Sequence, residues 1–167
     1  MFTAISAFTF VWSQEIEATQ KLFKHLTDKS LSHAIGPEGR TLGRLAWHIT
    51  TTIPEMMSRT GLSITSPDPE SPVPASAKQI FGAFNDAAIA LLEQVQAKWT
   101  DATLEQEDDM YGQPWKRGST LMALVLHLVH HRGQMTVVMR QAGLSIPGLY
   151  GPAREEWAAF GMEPPKV

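Results

Sequence analysis

Residues 121–139 form an apolar run interrupted by histidines, and this run constrains the fold more than any other stretch. Within it, His127 and His131 are four residues apart and share one helix face, since four residues turn an α-helix by about 400°. His130 also lies within reach of His127 at i, i+3 spacing, and spacing alone does not choose between His130 and His131. Two imidazoles in a core need hydrogen-bond partners or a cation, so the run predicts either a polar network or part of a metal site. The helical periodicity rests on Leu121, Leu124, Val125, Leu128, Met135, Val138 and Met139.

Three further stretches repeat their apolar residues with helical periodicity, and each is long enough for one helix of a bundle. Pro54 lies inside the second of them and predicts a kink or an irregular turn at that point. Thr41 is well placed to cap the start of the same helix. The predicted helices cover residues 3–27, residues 41–61 and residues 76–99.

The connections between these helices are rich in proline, glycine and acidic residues. Residues 63–74 hold four prolines and are predicted to form a surface loop. Residues 101–118 are a long excursion with room for a short strand or hairpin, and Ser119 or Thr120 is expected to cap the fourth helix after it. With a short last helix near the C-terminus, the pattern predicts an all-α four-helix bundle in a single domain over residues 1–167.

The amino-acid composition limits both the chemistry that the protein can perform and the partners that it can bind. The chain has no cysteine, which excludes a disulfide framework, a thiolate zinc site and a cysteine nucleophile, and favours a cytoplasmic protein. A net charge of -3 argues against nucleic-acid binding, which rests on clustered Lys and Arg. No stretch reaches the roughly 18 uninterrupted apolar residues of a membrane span. The apolar N-terminus has no preceding Lys or Arg, so we expect no secretion signal.

Two motifs resemble a known family in their order and in their separation along the chain. LGRLAWHI at residues 42–49 and HLVHHRGQ at residues 127–134 are similar to the corresponding motifs of the DinB/YfiT family of metal-binding four-helix bundles. The helix pattern agrees with that family over nearly the whole chain. The resemblance implies the same bundle fold that the periodicity predicts.

The resemblance also implies a metal site. Its ligand histidines correspond to His48, His127 and His131, which leaves His130 without a ligand role. Three neutral imidazoles hold a divalent ion, with zinc and nickel both suitable, and leave positions for water or substrate. Glu55 lies on the face of His48, but two helical turns separate them by about 11 Å, which is too far for both to bind one ion.

Five further polar or aromatic residues are candidates for the surroundings of the metal. Gln134 can form a hydrogen bond near the site or lie on the helix surface. Arg132 can pair with a neighbouring helix or with an acidic substrate. Tyr111, Trp115 and Tyr150 can line a pocket from the loops, or serve only in packing.

The family resemblance implies thiol transferases or thiol-dependent isomerases that use a low-molecular-weight thiol such as bacillithiol or mycothiol. We therefore expect a metal-dependent hydrolase or thiol S-transferase that activates water or a thiol for attack on a small electrophile. The alternative is a non-catalytic bundle in which the metal is structural or sensory. We expect a homodimer in both cases. An open coordination position beside a pocket favours the enzyme, whereas a fourth protein ligand or a sealed site favours the alternative.

Overall fold

A computed structural model of the protein describes residues 1–65, 67 and 71–166. The predicted loop at residues 63–74 therefore lies partly outside the described residues, as does residue 167. In the described part, the all-α prediction is confirmed, and the only sheet there is a two-stranded hairpin. A short 3₁₀ helix at Arg154–Phe160 takes the place of the predicted last helix. The main elements are α1 (Ile5–Phe23), α2 (Leu42–Ser58), α3 (Ala77–Lys98), β1 (Glu107–Met110), β2 (Gln113–Lys116) and α4 (Arg117–Gln141).

The four α-helices bury their apolar faces against one another around a common core. α2 packs against both α3 and α4, and α1 packs against α3 and α4. Burial of each large apolar side chain contributes about 1.5–3 kcal/mol, so the pairing of α2 with α4 is held by a substantial apolar contact. Fully buried side chains come from every helix and include Phe8, Trp12, Leu42, Ile53, Phe84, Leu91, Leu121 and Met139.

The boundaries of the first two helices follow local capping chemistry. α1 ends at Phe23, four residues before the predicted end. The predicted cap of α2 is confirmed, since the Thr41 hydroxyl accepts a hydrogen bond from the backbone N–H of Arg44 at 3.1 Å. α2 then continues through the buried Pro54 to Ser58 without a break. None of the helices in the described part of the chain is long and apolar enough to cross a lipid bilayer.

The prediction that Ser119 or Thr120 caps the fourth helix is wrong. α4 begins directly after β2, with Lys116 at its N-cap and no side-chain cap. The guanidinium of Arg117 instead makes two hydrogen bonds to the Asp108 carboxylate across the hairpin, at 2.7 and 3.0 Å. The hairpin therefore anchors the first turn of α4, a long-range contact that the local sequence around residue 119 does not show.

Candidate metal centre

The packing of α2 against α4 brings three histidine side chains together. The Nε2 atoms of His48 and His127 are 3.2 Å apart, and those of His127 and His131 are 3.1 Å apart. One ligand atom from each of the three residues lies within 4.8 Å of the others. With metal–nitrogen bonds of about 2.1 Å, imidazole nitrogens lie about 3.4 Å apart on a tetrahedral ion and about 3.0 Å apart on an octahedral one. The cluster therefore has the dimensions that a divalent ion requires.

The electrostatic environment keeps these imidazoles neutral. Burial lowers the pKa of His48 to about 4, and the neighbouring His131 and His127 act in the same direction. Burial likewise lowers the pKa of His127 to about 4, with His131 and His130 adding to the effect. The pKa of His131 is also lowered, chiefly by burial. At neutral pH each ring therefore carries a free lone pair on one of its two nitrogens, which is the state that binds metal.

Gln134 sets the orientation and the tautomer of His131. Its side-chain carbonyl Oε1 lies 2.7 Å from His131 Nδ1 and accepts a hydrogen bond from the N–H there, which leaves Nε2 unprotonated towards the cluster. The amide nitrogen of Gln134 lies 3.1 Å from Nε2 of His130 and can donate to it. His130 thus contacts the amide that holds His131, while its own Nε2 is engaged outside the cluster.

Two cavities adjoin the histidine cluster. The larger has a volume of about 530 Å³, and His131, Gln134 and Arg40 are the polar side chains in its wall. The smaller has a volume of about 250 Å³ and is lined by both His48 and His127. The cluster is therefore accessible to small molecules. The smaller cavity is completed by Thr52, Glu55, Met56, Tyr111, Trp115 and Ala123.

Glu55 is the carboxylate in the wall of the smaller cavity, and two neighbours hold it. Its Oε2 accepts a hydrogen bond from the Tyr111 hydroxyl at 2.8 Å, and its Oε1 accepts one from Arg59 Nε at 3.2 Å. The Arg59 guanidinium also stacks 4.3 Å from the centre of the Tyr111 ring. Burial, together with the hydrogen bond to Glu55, raises the pKa of Tyr111 to about 12. The phenol is therefore protonated at neutral pH and fixes the position of the carboxylate.

The hairpin between α3 and α4 delivers two of the aromatic candidates to this cavity. Tyr111 and Gly112 form its turn with positive φ angles of 60° and 82°, the conformation of a type I′ hairpin turn. Trp115 follows on β2, and its ring centre lies 6.4 Å from that of Tyr111. Both residues line the cavity beside His48 and His127.

The buried Arg132 and the exposed Tyr150 belong to a separate polar network. Arg132 is only 1% exposed, and it forms an ion pair with Glu15 on α1 and a hydrogen bond to Thr19 at 2.9 Å. The Tyr150 hydroxyl contacts Arg132 and donates to Glu15 Oε2 at 2.8 Å. Arg132 thus bridges to a neighbouring helix, one of its two predicted roles. The network connects α4, α1 and the C-terminal segment.

The sequence-based interpretation missed two charged residues beside the cluster. Glu55 had been considered only as a metal ligand, although its seven-residue spacing from His48 already placed both side chains on one helix face. Arg40 precedes the cap of α2, and nothing in its local sequence indicates that it lines the larger cavity.

The DinB family model matches residues 1–166 of the chain. The chain belongs to the DinB family. It is 47% identical over 167 residues to YrdA, an uncharacterized protein of Bacillus subtilis (strain 168), and the match covers 100% of both chains. The crystal structure of a DinB-like protein from Bacillus cereus ATCC 10987 is similar with a TM-score of 0.87 and 47% identity, over 90% of this chain and 100% of that one. A second solved structure, that of the DinB-like protein YjoA of Bacillus subtilis, is similar with a TM-score of 0.68 and 18% identity, over 86% of this chain and 96% of that one. At this identity, the similarity supports the fold alone.

Proposed function

We propose that the protein is a metal-dependent enzyme whose divalent ion, zinc or nickel, is held by His48, His127 and His131. It acts as a hydrolase or as a thiol S-transferase, in which water or a low-molecular-weight thiol attacks a small electrophile. The observation that carries this proposal is the convergence of three neutral imidazoles beside two cavities. Within the described residues, this group includes no fourth His, Asp or Glu.

A set of three protein ligands is the arrangement of catalytic rather than structural sites, which are closed by a fourth ligand. When bound, such an ion supplies Lewis acidity, which lowers the pKa of a coordinated water or thiol towards neutrality. Imidazole ligands suit both zinc and nickel, and zinc also accepts soft thiolate ligands. The size of the two cavities supports small reactants rather than macromolecular ones.

Glu55 is the residue that we propose as proton acceptor. Its carboxylate lines the cavity shared by His48 and His127, and each of its oxygens keeps a lone pair beyond the hydrogen bonds from Tyr111 and Arg59. A positioned carboxylate of this kind takes up the proton that the attacking water or thiol releases. Trp115 also lines this cavity.

The metal assignment is tested by elemental analysis of the purified protein. We expect close to one divalent ion per chain, and loss of this ion in His127→Ala. His25→Ala is the matched control, because the His25 side chain is exposed and, among the described residues, forms a hydrogen bond only with the Lys21 carbonyl at 2.9 Å. If His127→Ala retains the ion at the wild-type level, the site as proposed is wrong.

Catalysis is tested separately with the zinc-loaded and nickel-loaded protein. A panel of low-molecular-weight thiols is paired with alkyl halide, epoxide and activated-alkene electrophiles, and a set of aryl esters tests hydrolysis. We expect turnover with at least one pair, and its loss after treatment with a chelator. The absence of turnover above the chelated control across both panels would argue for the non-catalytic alternative.

That alternative is a metal-binding homodimer in which the ion is structural or sensory. It is favoured by exposed apolar side chains, since Leu126 on α4 is 59% exposed and Phe10 on α1 is 65% exposed. Sedimentation of the wild-type protein and of Leu126→Lys tests this surface. A dimer that dissociates in Leu126→Lys and that shows no turnover would support the binding protein over the enzyme.

A further inference from the structure

The larger cavity is a groove that extends from His131 along the second half of α4. Its α4 wall consists of Gln134, Val137 and Val138, which follow His131 at helical spacing, and its other walls come from α2 and from the loop before α2. The volume of about 530 Å³ lies within the range of about 300–1,000 Å³ that is usual for small-molecule sites. Val137 is 51% exposed, so the groove presents apolar surface to solvent.

Arg40 is the one charged side chain in the wall of this groove. Four other arginines form ion pairs with carboxylates, whereas Arg40 forms neither an ion pair nor a side-chain hydrogen bond with any residue that the structure describes. The lining residues include no Asp or Glu. An uncompensated cation therefore lies at an apolar groove next to the metal ligands.

The loop that carries Arg40 is held in place by its own backbone. Ala34 and Thr41 form an antiparallel bridge across the base of the loop. A side chain at Gly39 would be excluded, because its Cβ would lie 2.8 Å from the carbonyl oxygen of Ile35. The tight loop and the helix cap that follows it define where the backbone of Arg40 lies. The backbone therefore adds little to the ordering cost of binding, whereas the unpaired side chain of Arg40 must still be ordered by the ligand.

We propose that this groove binds a small amphiphilic carboxylate. The guanidinium of Arg40 pairs with the carboxylate, and Val137 with Ile35 and Leu45 contacts the apolar part, so the bound molecule lies beside His131. The smaller cavity is about half the size and contains the Glu55 carboxylate instead of a free cation, since Arg59 is already paired with Glu55. The larger groove is therefore the place for the anionic reactant, and the smaller cavity is the place for water or a small thiol.

This inference rests on the proposed function, because it names the class of the electrophilic substrate for that same centre. Binding in the groove, however, needs Arg40 and the apolar wall and does not need the ion. The two ideas can therefore fail separately. Metal content and turnover test the centre, whereas ligand binding in the presence and absence of zinc tests the groove.

The experiment compares octanoate with octylammonium, which share a chain length and differ in the sign of the charge. Both are titrated into ¹⁵N-labelled protein, either zinc-loaded or treated with a chelator, and the amide shifts are followed by NMR. We expect octanoate to shift the amides of Ile35, Arg40 and Val137, with an affinity about tenfold higher than that of octylammonium, since a charged hydrogen bond contributes about this factor. The preference should persist after removal of zinc.

Three variants make the test specific. Arg40→Met should lose the preference for octanoate, while Arg154→Met should keep it, because Arg154 is also exposed and without an ion pair among the described residues but lies outside the groove. Val137→Glu places a carboxylate in the groove and should reverse the preference. Equal binding of the two probes by the wild type, unchanged selectivity in Arg40→Met, or no binding of octanoate at millimolar concentration would each overturn the proposal.

Discussion

Replacing Gln134 with leucine removes the acceptor that holds the Nδ1 proton of His131 at 2.7 Å. Without it, His131 can turn or adopt the tautomer in which Nε2 carries the proton and cannot bind metal. Loss of such an outer hydrogen bond lowers metal affinity by about 10- to 100-fold, which corresponds to about 1.4–2.8 kcal/mol. Gln134 is exposed, so water replaces part of the lost interaction. We therefore expect a zinc affinity about tenfold weaker than that of the wild type.

The affinity is measured at neutral pH by competition with a chromophoric zinc chelator at fixed ionic strength. Gln134→Glu keeps an acceptor oxygen at the same position and should bind zinc at least as tightly as the wild type. Gln141→Leu is the matched control, because Gln141 is an exposed glutamine at the end of the same helix. The thermal midpoints of the chelator-treated variants show whether any loss of affinity reflects unfolding. Wild-type affinity in Gln134→Leu, or equal losses in Gln134→Leu and Gln141→Leu, would refute the role that we assign to this hydrogen bond.

Three further predictions concern acidity, stability and proton transfer. The pKa values of His48 and His127 are lowered from 6.5 to about 4. Between these two pH values the unfolded chain therefore binds more protons than the folded protein. The free energy of unfolding of the chelator-treated protein, measured with urea, should therefore be highest above pH 6.5 and should decline as the pH falls towards 4. A free energy of unfolding that does not change over this range would contradict the pKa shifts. Glu15→Ala leaves the buried charge of Arg132 unpaired and should cost about 3–5 kcal/mol of unfolding free energy, while the double variant that also carries Arg132→Met should recover part of this loss. Glu55→Gln should lower kcat by about 10²-fold or more with zinc content unchanged, and an unaltered kcat would exclude Glu55 as the proton acceptor.

Much of the fold could be predicted because helix formation depends on local periodicity. The apolar spacing located all four long helices, and Thr41 was recognised as a cap because its hydroxyl reaches an amide only three residues away. The start of α4 could not be located in this way. It depends on the contact of Arg117 with Asp108 across the hairpin, and the side chains of Ser119 and Thr120 nearby gave a misleading signal.

The candidate site was predicted in part. Spacing placed His127 on one face with His131 and left His130 as a competitor, and the family resemblance selected His131. The structure agrees in geometry, since His131 Nε2 lies 3.1 Å from His127 Nε2, while His130 contacts Gln134. The role of Gln134 could not be predicted because a glutamine at this position of a helix more often lies on the surface without a role at a site.

The sequence by itself determined which side chains share a helix face, because that depends only on the 3.6-residue turn of the helix. For this reason the sequence alone showed that His127 and His131 share a face, and that Glu55 lies on the face of His48. Only the tertiary structure decided which faces meet. The contact of Tyr111 with Glu55 spans 56 residues and that of Arg132 with Glu15 spans 117. Such contacts arise because the helices and the hairpin pack against one another, and the spacing of residues along the sequence does not predict that packing.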